Sequence, residues 1–281
     1  MKKIFFYLAA LLFAGASLNS NAQALKVPQL SSTQTIIQDL GLGKVTVTYS
    51  RPNVKGRKML GGLEPYGNIW RTGANAATII SFTDDVTLNG NKVVAGEYGL
   101  FTIPGPDQWT IILNKTAHQW GAYSYKQADD YLRFTVKPGV LPAKMETFTI
   151  AFINVTETTA EMHLMWENVD VTMMLVTDVD TKVMANIDQV MNKDTKPYFE
   201  AAVYYYENNK DLATALGWIR TAEKVEANSP FYKVWEARIL LKMGNKAEAL
   251  STAQDGVKFA KAQNDKEYER LNQAVVDQAK M

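Results

Sequence analysis

The apolar residues of this chain change their period once, near Asp180, and that single change restricts the fold more than any other feature of the sequence. Before it the pattern is two-residue. "KVTVTYS" sets Val45, Val47 and Tyr49 against Thr46, Thr48 and Ser50, the alternation of a half-buried strand. "DVTLNGNKVVAGEYGLFTIPGPDQWTIILN" reads as a run of hairpins: Asn89-Gly90 is a tight-turn pair, Ala95-Gly96 a second break, and "PGPD" turns the chain before a strand over Trp109 to Asn114. Further strands are expected at Thr147 to Val155, Glu161 to Val169 and "DVTMMLVT". Short strands with a turn signal about every ten residues predict an antiparallel β-sandwich, here from about Leu25 to Asp178.

After Asp180 the period is helical. Val183, Met184, Ile187, Val190 and Met191 form one stripe, with Asp180 and Thr181 as expected capping residues. From Pro197 onward the chain repeats itself: "DLATAL" returns as "NKAEAL" 34 residues later, the tetratricopeptide period. The repeats resemble two helix-turn-helix copies over Tyr198 to Gln263, with "DKEYERLNQAVVDQAK" as a cap. The fold class is therefore α+β with the two kinds of element segregated, an antiparallel sandwich followed by a small tetratricopeptide-like helical tail. Peptide-binding arrays generally stack about three repeats, so packing on the sandwich is as good an account of two copies as a partner groove. Tyr204, Tyr205 and Tyr206 cannot all face inward on one helix, and at least one exposed ring is expected there as a protein-binding surface.

The N-terminus gives the expected address. Lys2 and Lys3 precede an apolar run from Ile4 to Ala16, and "SNAQA" offers cleavage after Ala22 or Ala24, the anatomy of a secretory signal peptide. The expected organisation is thus a signal peptide at 1–22, the β domain at 23–179 and the helical domain at 180–281. With no cysteine, neither a disulfide framework nor a lipid-bearing cysteine is available. A soluble periplasmic protein is the simplest reading, with secretion or outer-membrane association as the alternatives. Of the 30 basic residues, all but Lys2 and Lys3 lie beyond this leader, against 29 acidic ones, and so balanced a chain is not expected to bind nucleic acid. No other stretch is apolar for long enough to span a bilayer.

The chemistry-bearing residues gather in "VKGRKMLGGLEPYGNIWRTGAN", which is too rich in glycine and proline for a regular element and reads as a long loop after Ser50. Met59, Leu60, Leu63, Tyr66, Ile69 and Trp70 supply apolar anchors along it. Arg51, Lys55, Arg57, Lys58 and Arg71 face one acid, Glu64, and guanidinium groups on a glycine-bearing backbone suit a carboxylate, sulfate or phosphate. The competing account is structural, with Arg57 and Arg71 bonding loop carbonyls or pairing with Asp84, Asp85 or Glu97.

"YSRPNVKGRKMLGGLEPYGNIWRTGANAAT", with "AGEYGLFTIPGPDQWTIILNK" and "QWGAY", resembles the DUF2911 family of exported proteins, found mainly in Bacteroidetes and without an assigned function. The likeness covers about Gln29 to Asp178. It implies a β-rich domain in which Arg51, Pro52, Gly56, Arg57, the run Trp70 to Asn75, Gly96, Tyr98, Trp120 and Gly121 converge. Family members often carry an acid after the Gly-Ala-Asn, where this chain has Ala76; a family chemistry that used such a carboxylate would be missing here. Some relatives carry a helical C-terminal extension of the same kind.

Familiar catalytic signatures are absent. His118 and His163 stand alone without cysteine, so no zinc-ligand spacing exists and no metal or other cofactor is expected. There is no Gly-x-Ser-x-Gly or Ser-x-x-Lys, and Gly62 and Leu63 stand where a P-loop needs Lys and Ser or Thr. The paired aspartates fall at turns, where their own backbone uses them. Three readings follow. The first is a non-catalytic module for an anionic small molecule, glycan or peptide terminus, with a binding set of Arg51, Arg57, Tyr66, Trp70, Arg71, Asn75, Glu97, Tyr98, Lys115, His118 and Trp120. Here Trp120 is a stacking wall opposite the arginine loop, and Glu97 either orients an arginine or acts as a base. The second is an envelope hydrolase using Glu97 and Tyr98 or His118 beside an arginine-lined oxyanion site. The third is a scaffold acting through the helical tail. No catalytic residue is assigned.

Overall fold

The computed structural model describes residues 27–281. The expected leader at 1–22 lies outside them. The chain divides into two compact units between Asp178 and Val179.

The first unit is a sandwich of two antiparallel sheets. One runs β1 (Ser32–Leu40), β2 (Gly43–Arg51), β3 (Thr78–Phe82), β6 (Gly96–Ile103), β7 (Trp109–Asn114), β8 (Asp130–Val136); the other runs β5 (Asn91–Val93), β4 (Val86–Leu88), β10 (Thr159–Val176), β9 (Gly139–Ile153). Between them lies one core. The first sheet contributes Val45, Val47, Tyr49, Ile80, Leu100 and Trp109, and the second contributes Leu88, Phe148, Ile150, Leu164, Trp166 and Leu175. Two-residue alternation turns the intervening Thr46, Thr48, Ile79 and Ser81 outward, where they are partly exposed. Tyr49 ties the sheets together at their polar end, its hydroxyl accepting the Ile150 N–H at 2.8 Å and donating to Gln34 Oε1 at 2.8 Å.

The Asn89-Gly90 turn forms as expected, with φ of 48° and 84° and Leu88 opposite Asn91. Positive φ at both central residues is what a two-residue hairpin loop requires. The long strand β10 doubles back on itself at Glu167, where φ is 52°, so that the Thr177 N–H donates to the Thr158 carbonyl at 2.9 Å. The two expected strands "EMHLMWENV" and "DVTMMLVT" are its two arms. Strands β1 and β8 carry no strong sequence signal: β1 is an edge strand of mostly polar residues with Ile37 exposed, and β8 closes the opposite edge with every residue partly or fully exposed.

The second unit holds α1 (Asp180–Val190), α2 (Tyr198–Glu207), α3 (Leu212–Glu223), α4 (Pro230–Lys242), α5 (Lys246–Ala262) and α6 (Lys266–Lys280). The start of α5 follows that of α3 by the 34-residue repeat, and Ala215 and Ala249 occupy the same fully buried place in each copy. Two expectations are corrected. Residue Val179, not Asp180 or Thr181, is the N-cap of α1, because the Asp180 carboxylate instead receives Lys210 Nζ at 2.7 Å and the Tyr204 hydroxyl at 2.9 Å. None of the three consecutive tyrosines is exposed: Tyr204 is held by Asp180, Tyr205 meets the Trp218 ring edge-on at 4.7 Å, and Tyr206 packs on Trp235 at 5.9 Å. Buried Glu236 receives Arg220 Nε at 2.7 Å and Lys233 Nζ at 3.0 Å. Burial works against its ionisation, but those two cations outweigh it and hold the carboxyl below its ordinary range.

Close approach of α5 to α6 needs Gly256, since a Cβ there would stand 2.0 Å from Asn272 Oδ1. Asn272 is fully buried and cannot swing aside, because its Nδ2 donates to the Pro230 carbonyl at 3.0 Å and the Tyr268 carbonyl at 2.8 Å. Gly256→Ala is expected to destabilise the helical unit by about 1–3 kcal/mol. Chemical denaturation followed by helical circular dichroism, compared with Gly217→Ala where a Cβ meets open space, measures it.

Candidate functional site

The glycine-rich stretch after β2 is long and irregular but firmly held. Val54 N–H donates to the Glu146 carbonyl at 2.8 Å, Lys55 N–H to Glu146 Oε1 at 2.6 Å, and Leu60 N–H to Glu167 Oε2 at 2.9 Å. Val54, Met59, Leu60 and Trp70 sink into the core. Leu63 and Tyr66, expected as anchors, stay exposed at 57% and 42%; the Tyr66 ring instead lies over Gly61.

The run Trp70 to Asn75 closes the loop, and each residue has a physical role. Trp70 is 2% exposed, stacks on Trp166 with ring centroids 5.5 Å apart, and meets Trp109 and Phe148 edge-on. Its Nε1 donates to the Gly73 carbonyl at 3.0 Å, while its backbone exchanges hydrogen bonds with Thr102 at 2.7 and 2.9 Å. Thr72 is fully buried against Thr102, and its carbonyl accepts Thr78 Oγ1 at 2.6 Å. Gly73 passes so close to β2 that a Cβ would stand 2.8 Å from the Ser50 carbonyl. Asn75, at φ 58°, points its Nδ2 to the Ser31 carbonyl and to Ser50 Oγ, both at 3.3 Å. The segment before β1 is thereby drawn across the loop.

Two recesses flank that Asn75 link. The first, of about 400 Å³, is lined by Leu30, Ser31, Asn53, Lys55, Arg57, Glu64, Arg71 and Gly73 among others. The second, of about 350 Å³, is lined by Gln29, Thr33, Thr48, Ser50, Asn75, Ile79 and Trp120 among others.

The arginines play unequal parts. Arg51 is structural, its Nε donating to the Phe148 carbonyl at 3.2 Å and an Nη to Thr149 Oγ1 at 2.8 Å. Arg57 lines the first recess but spends Nε on the Val54 carbonyl at 3.0 Å and an Nη on the Asn53 carbonyl at 2.7 Å. Arg71 is different. Its Nε is buried with no hydrogen-bond partner, and no carboxylate among the described residues lies within ion-pair distance of it. Glu64 shares this recess; burial raises its pKa above the usual carboxylate value, and the Arg71 charge only partly offsets that.

The other expected site residues separate. Trp120 is 69% exposed as expected, but it walls the second recess rather than facing Arg57 and Arg71. Trp70 and Tyr98 belong to the core, not to a ligand surface. Glu97 and Tyr98 are neighbours on β6 and so point to opposite sides of the sheet. Tyr98 donates to the Val94 carbonyl at 2.9 Å and packs against Tyr131, whereas Glu97 reaches His118 Nε2 at 2.7 Å on the outer face. The arginines line neither position, so Glu97, Tyr98 and an arginine-lined anion site do not share one place. Lys115 is exposed and lines neither recess. His163 is held on β10 by Asp170 at 2.9 Å, away from His118. Among the described residues no group of three or more His, Cys, Asp or Glu is placed to hold a metal ion, and no helix is long and apolar enough to cross a membrane.

Sequence reasoning passed over Gln29, Leu30 and Ser31, which line the recesses from a segment more than 40 residues away from Asn75 in the chain. Nothing in their identity marks them. Glu64 carried a signal, the lone acid in a basic loop.

Residues 31–175, just over half of the chain, match the family described as protein of unknown function, DUF2911. This chain belongs to the DUF2911 family. Neither a curated protein nor a solved structure matches it. The matched DUF2911 region ends inside β10, so the six helices lie beyond it.

Because the folded pKa of Glu64 is raised, its ionisation opposes folding; the penalty is absent below the ordinary value of 4.5 and grows as pH rises from there through the folded value. Glu64→Gln is therefore expected to be more stable than the wild type at neutral pH, with the difference vanishing by about pH 4. Urea midpoints of the two proteins across this range provide the measurement.

Proposed function

We propose that this DUF2911 protein is an exported, periplasmic, non-catalytic binding module that takes an anionic group, a carboxylate, sulfate or phosphate carried by a small molecule, glycan or peptide terminus, in the Arg71 recess. The carrying observation is the Arg71 guanidinium, whose buried Nε has no partner in a recess that also presents Lys55 and Arg57. A buried donor left without an acceptor costs about 1–3 kcal/mol, and an anionic ligand would supply the acceptor. A guanidinium gives such a ligand a planar fork of donors, and Lys55 and Arg57 add charge at the rim. Glu64 opposes an anion when ionised, and its raised pKa eases its neutralisation beside one. The rigid loop supports binding, since the donors need little ordering when the ligand arrives. Export rests on the lysine-led apolar leader.

Thermal-shift titration of the purified protein with sulfate, phosphate, citrate, oligogalacturonate and peptides bearing free carboxyl termini tests this reading. At least one class is expected to raise the melting temperature of the wild type and of Arg51→Lys, with the shift abolished in Arg71→Ala. Equal shifts in wild type and Arg71→Ala, or no shift from any probe, would rule out the recess as the anion site.

A further inference from the structure

The second recess differs from the first in chemistry, and no charged side chain lines it. Its floor is the outer face of the six-stranded sheet, where β1 lies opposite β2 with Thr33 facing Ser50 and Thr35 facing Thr48. The alternation that sends Val47 and Tyr49 into the core turns the Thr48 hydroxyl outward, while Ser50 is buried beneath the recess with its hydroxyl accepting Asn75 Nδ2 at 3.3 Å. Gln29 adds a side-chain amide to the lining, Asn75 borders it with its Nδ2 already given to Ser31 and Ser50, and Ile79 adds an apolar patch.

Trp120 forms the wall, and its exposure is not a sign of looseness. The segment carrying it is pinned to the Trp70 loop on both sides: Ala77 N–H donates to the Gln119 carbonyl at 2.9 Å, and Gly121 N–H to the Asn75 carbonyl at 3.0 Å. Ala76 and Trp120 pair as an isolated antiparallel bridge between them. Gly121, at φ 66°, provides the turn that lets the chain leave this bridge. A large indole is thus held out of the core by fixed backbone beside a shelf of hydroxyls and amides. Simple packing would have turned such a ring inward, as it does for Trp70, Trp109 and Trp166.

The geometry points to a binding site for one pyranose ring of a neutral glycan in the Trp120 recess, distinct from the anion recess on the other side of Asn75. A pyranose has an apolar C–H face that stacks on an aromatic ring and a hydroxyl rim that exchanges hydrogen bonds with amides and hydroxyls. Both complements stand here side by side. The volume of about 350 Å³ accommodates a single ring, and its open side lets a chain continue into solvent. The absence of lining charge selects against sulfated or uronic units, which separates this ligand from that of the Arg71 recess. The inference does not rest on the anion reading, since it uses none of Lys55, Arg57, Glu64 or Arg71.

The test is NMR titration of the indole N–H signals with neutral oligosaccharides of glucose, mannose, xylose and N-acetylglucosamine. The chain has six tryptophans, and Trp120→Phe assigns the signal of interest by its loss. At least one of these sugars is expected to shift the Trp120 signal while the buried Trp70, Trp109 and Trp166 signals stay in place. Calorimetry with that sugar is expected to give affinity weakened about tenfold or more in Trp120→Ala, largely kept in Trp120→Phe, and unchanged in Arg71→Ala. Failure of every neutral sugar to move the signal, or equal affinity in Trp120→Ala, would overturn the proposal. Loss of sugar binding in Arg71→Ala with a folded protein would overturn the separateness of the two recesses.

Discussion

The burial of Trp70 is the interaction on which the rest of the β unit's surface depends. A long loop with many glycines would ordinarily lose too much conformational entropy to hold one shape. Here its distal end is an indole stacked on Trp166 and edged by Trp109 and Phe148, so the loop ends inside the core rather than above it. The same ring's Nε1 holds the Gly73 carbonyl, and that bond sets the path of the next residues. Arg71 lines the first recess, Thr72 is buried and Asn75 is aimed at the segment before β1 because they follow Trp70 at fixed offsets along a hydrogen-bonded backbone. The residues that follow this anchor border both recesses, Arg71, Gly73 and Ala74 the first and Asn75 the second.

Electrostatics then differentiates side chains that look alike on paper. Arg51 and Arg57 spend their guanidinium donors on backbone carbonyls, Arg51 on that of Phe148 and Arg57 on those of Val54 and Asn53. Arg71 makes no such bond through its Nε, which is buried without a partner. It is left facing Glu64 without touching it. The result is a recess containing a guanidinium whose buried Nε lacks a hydrogen-bond partner and an acid whose burial disfavours its charge.

The helical unit follows a separate logic. Its copies stack through small residues, Ala202, Ala215 and Ala249, while Tyr205, Tyr206, Trp218 and Trp235 pack around them. Aromatic residues that the linear sequence offered as a partner surface are half-buried in this packing, because neighbouring helices cover more of α2 than a single amphipathic face would require. Arg220 and Lys233 meanwhile neutralise the buried Glu236. The unit's visible chemistry is its own internal cohesion.

By itself the sequence determined whatever depends on local periodicity or on a long motif. The change of period near Asp180, the Asn89-Gly90 hairpin, the 34-residue helical repeat and membership of the DUF2911 family were all legible, and so was the exposed Trp120, which sits among residues with no strand pattern. Alternation along β6 also contained the separation of Glu97 from Tyr98, since neighbours on a strand face opposite ways. Only the tertiary structure decided which guanidinium is free, that Trp70 is an anchor rather than a ligand wall, and that residues 29–31 help line both recesses. Those outcomes depend on which donor meets which acceptor across distant segments, such as Asn75 with Ser31 and Arg51 with Phe148. Residue type and spacing fix what each group can bond; only the folded path of the chain settles which bonds are already made.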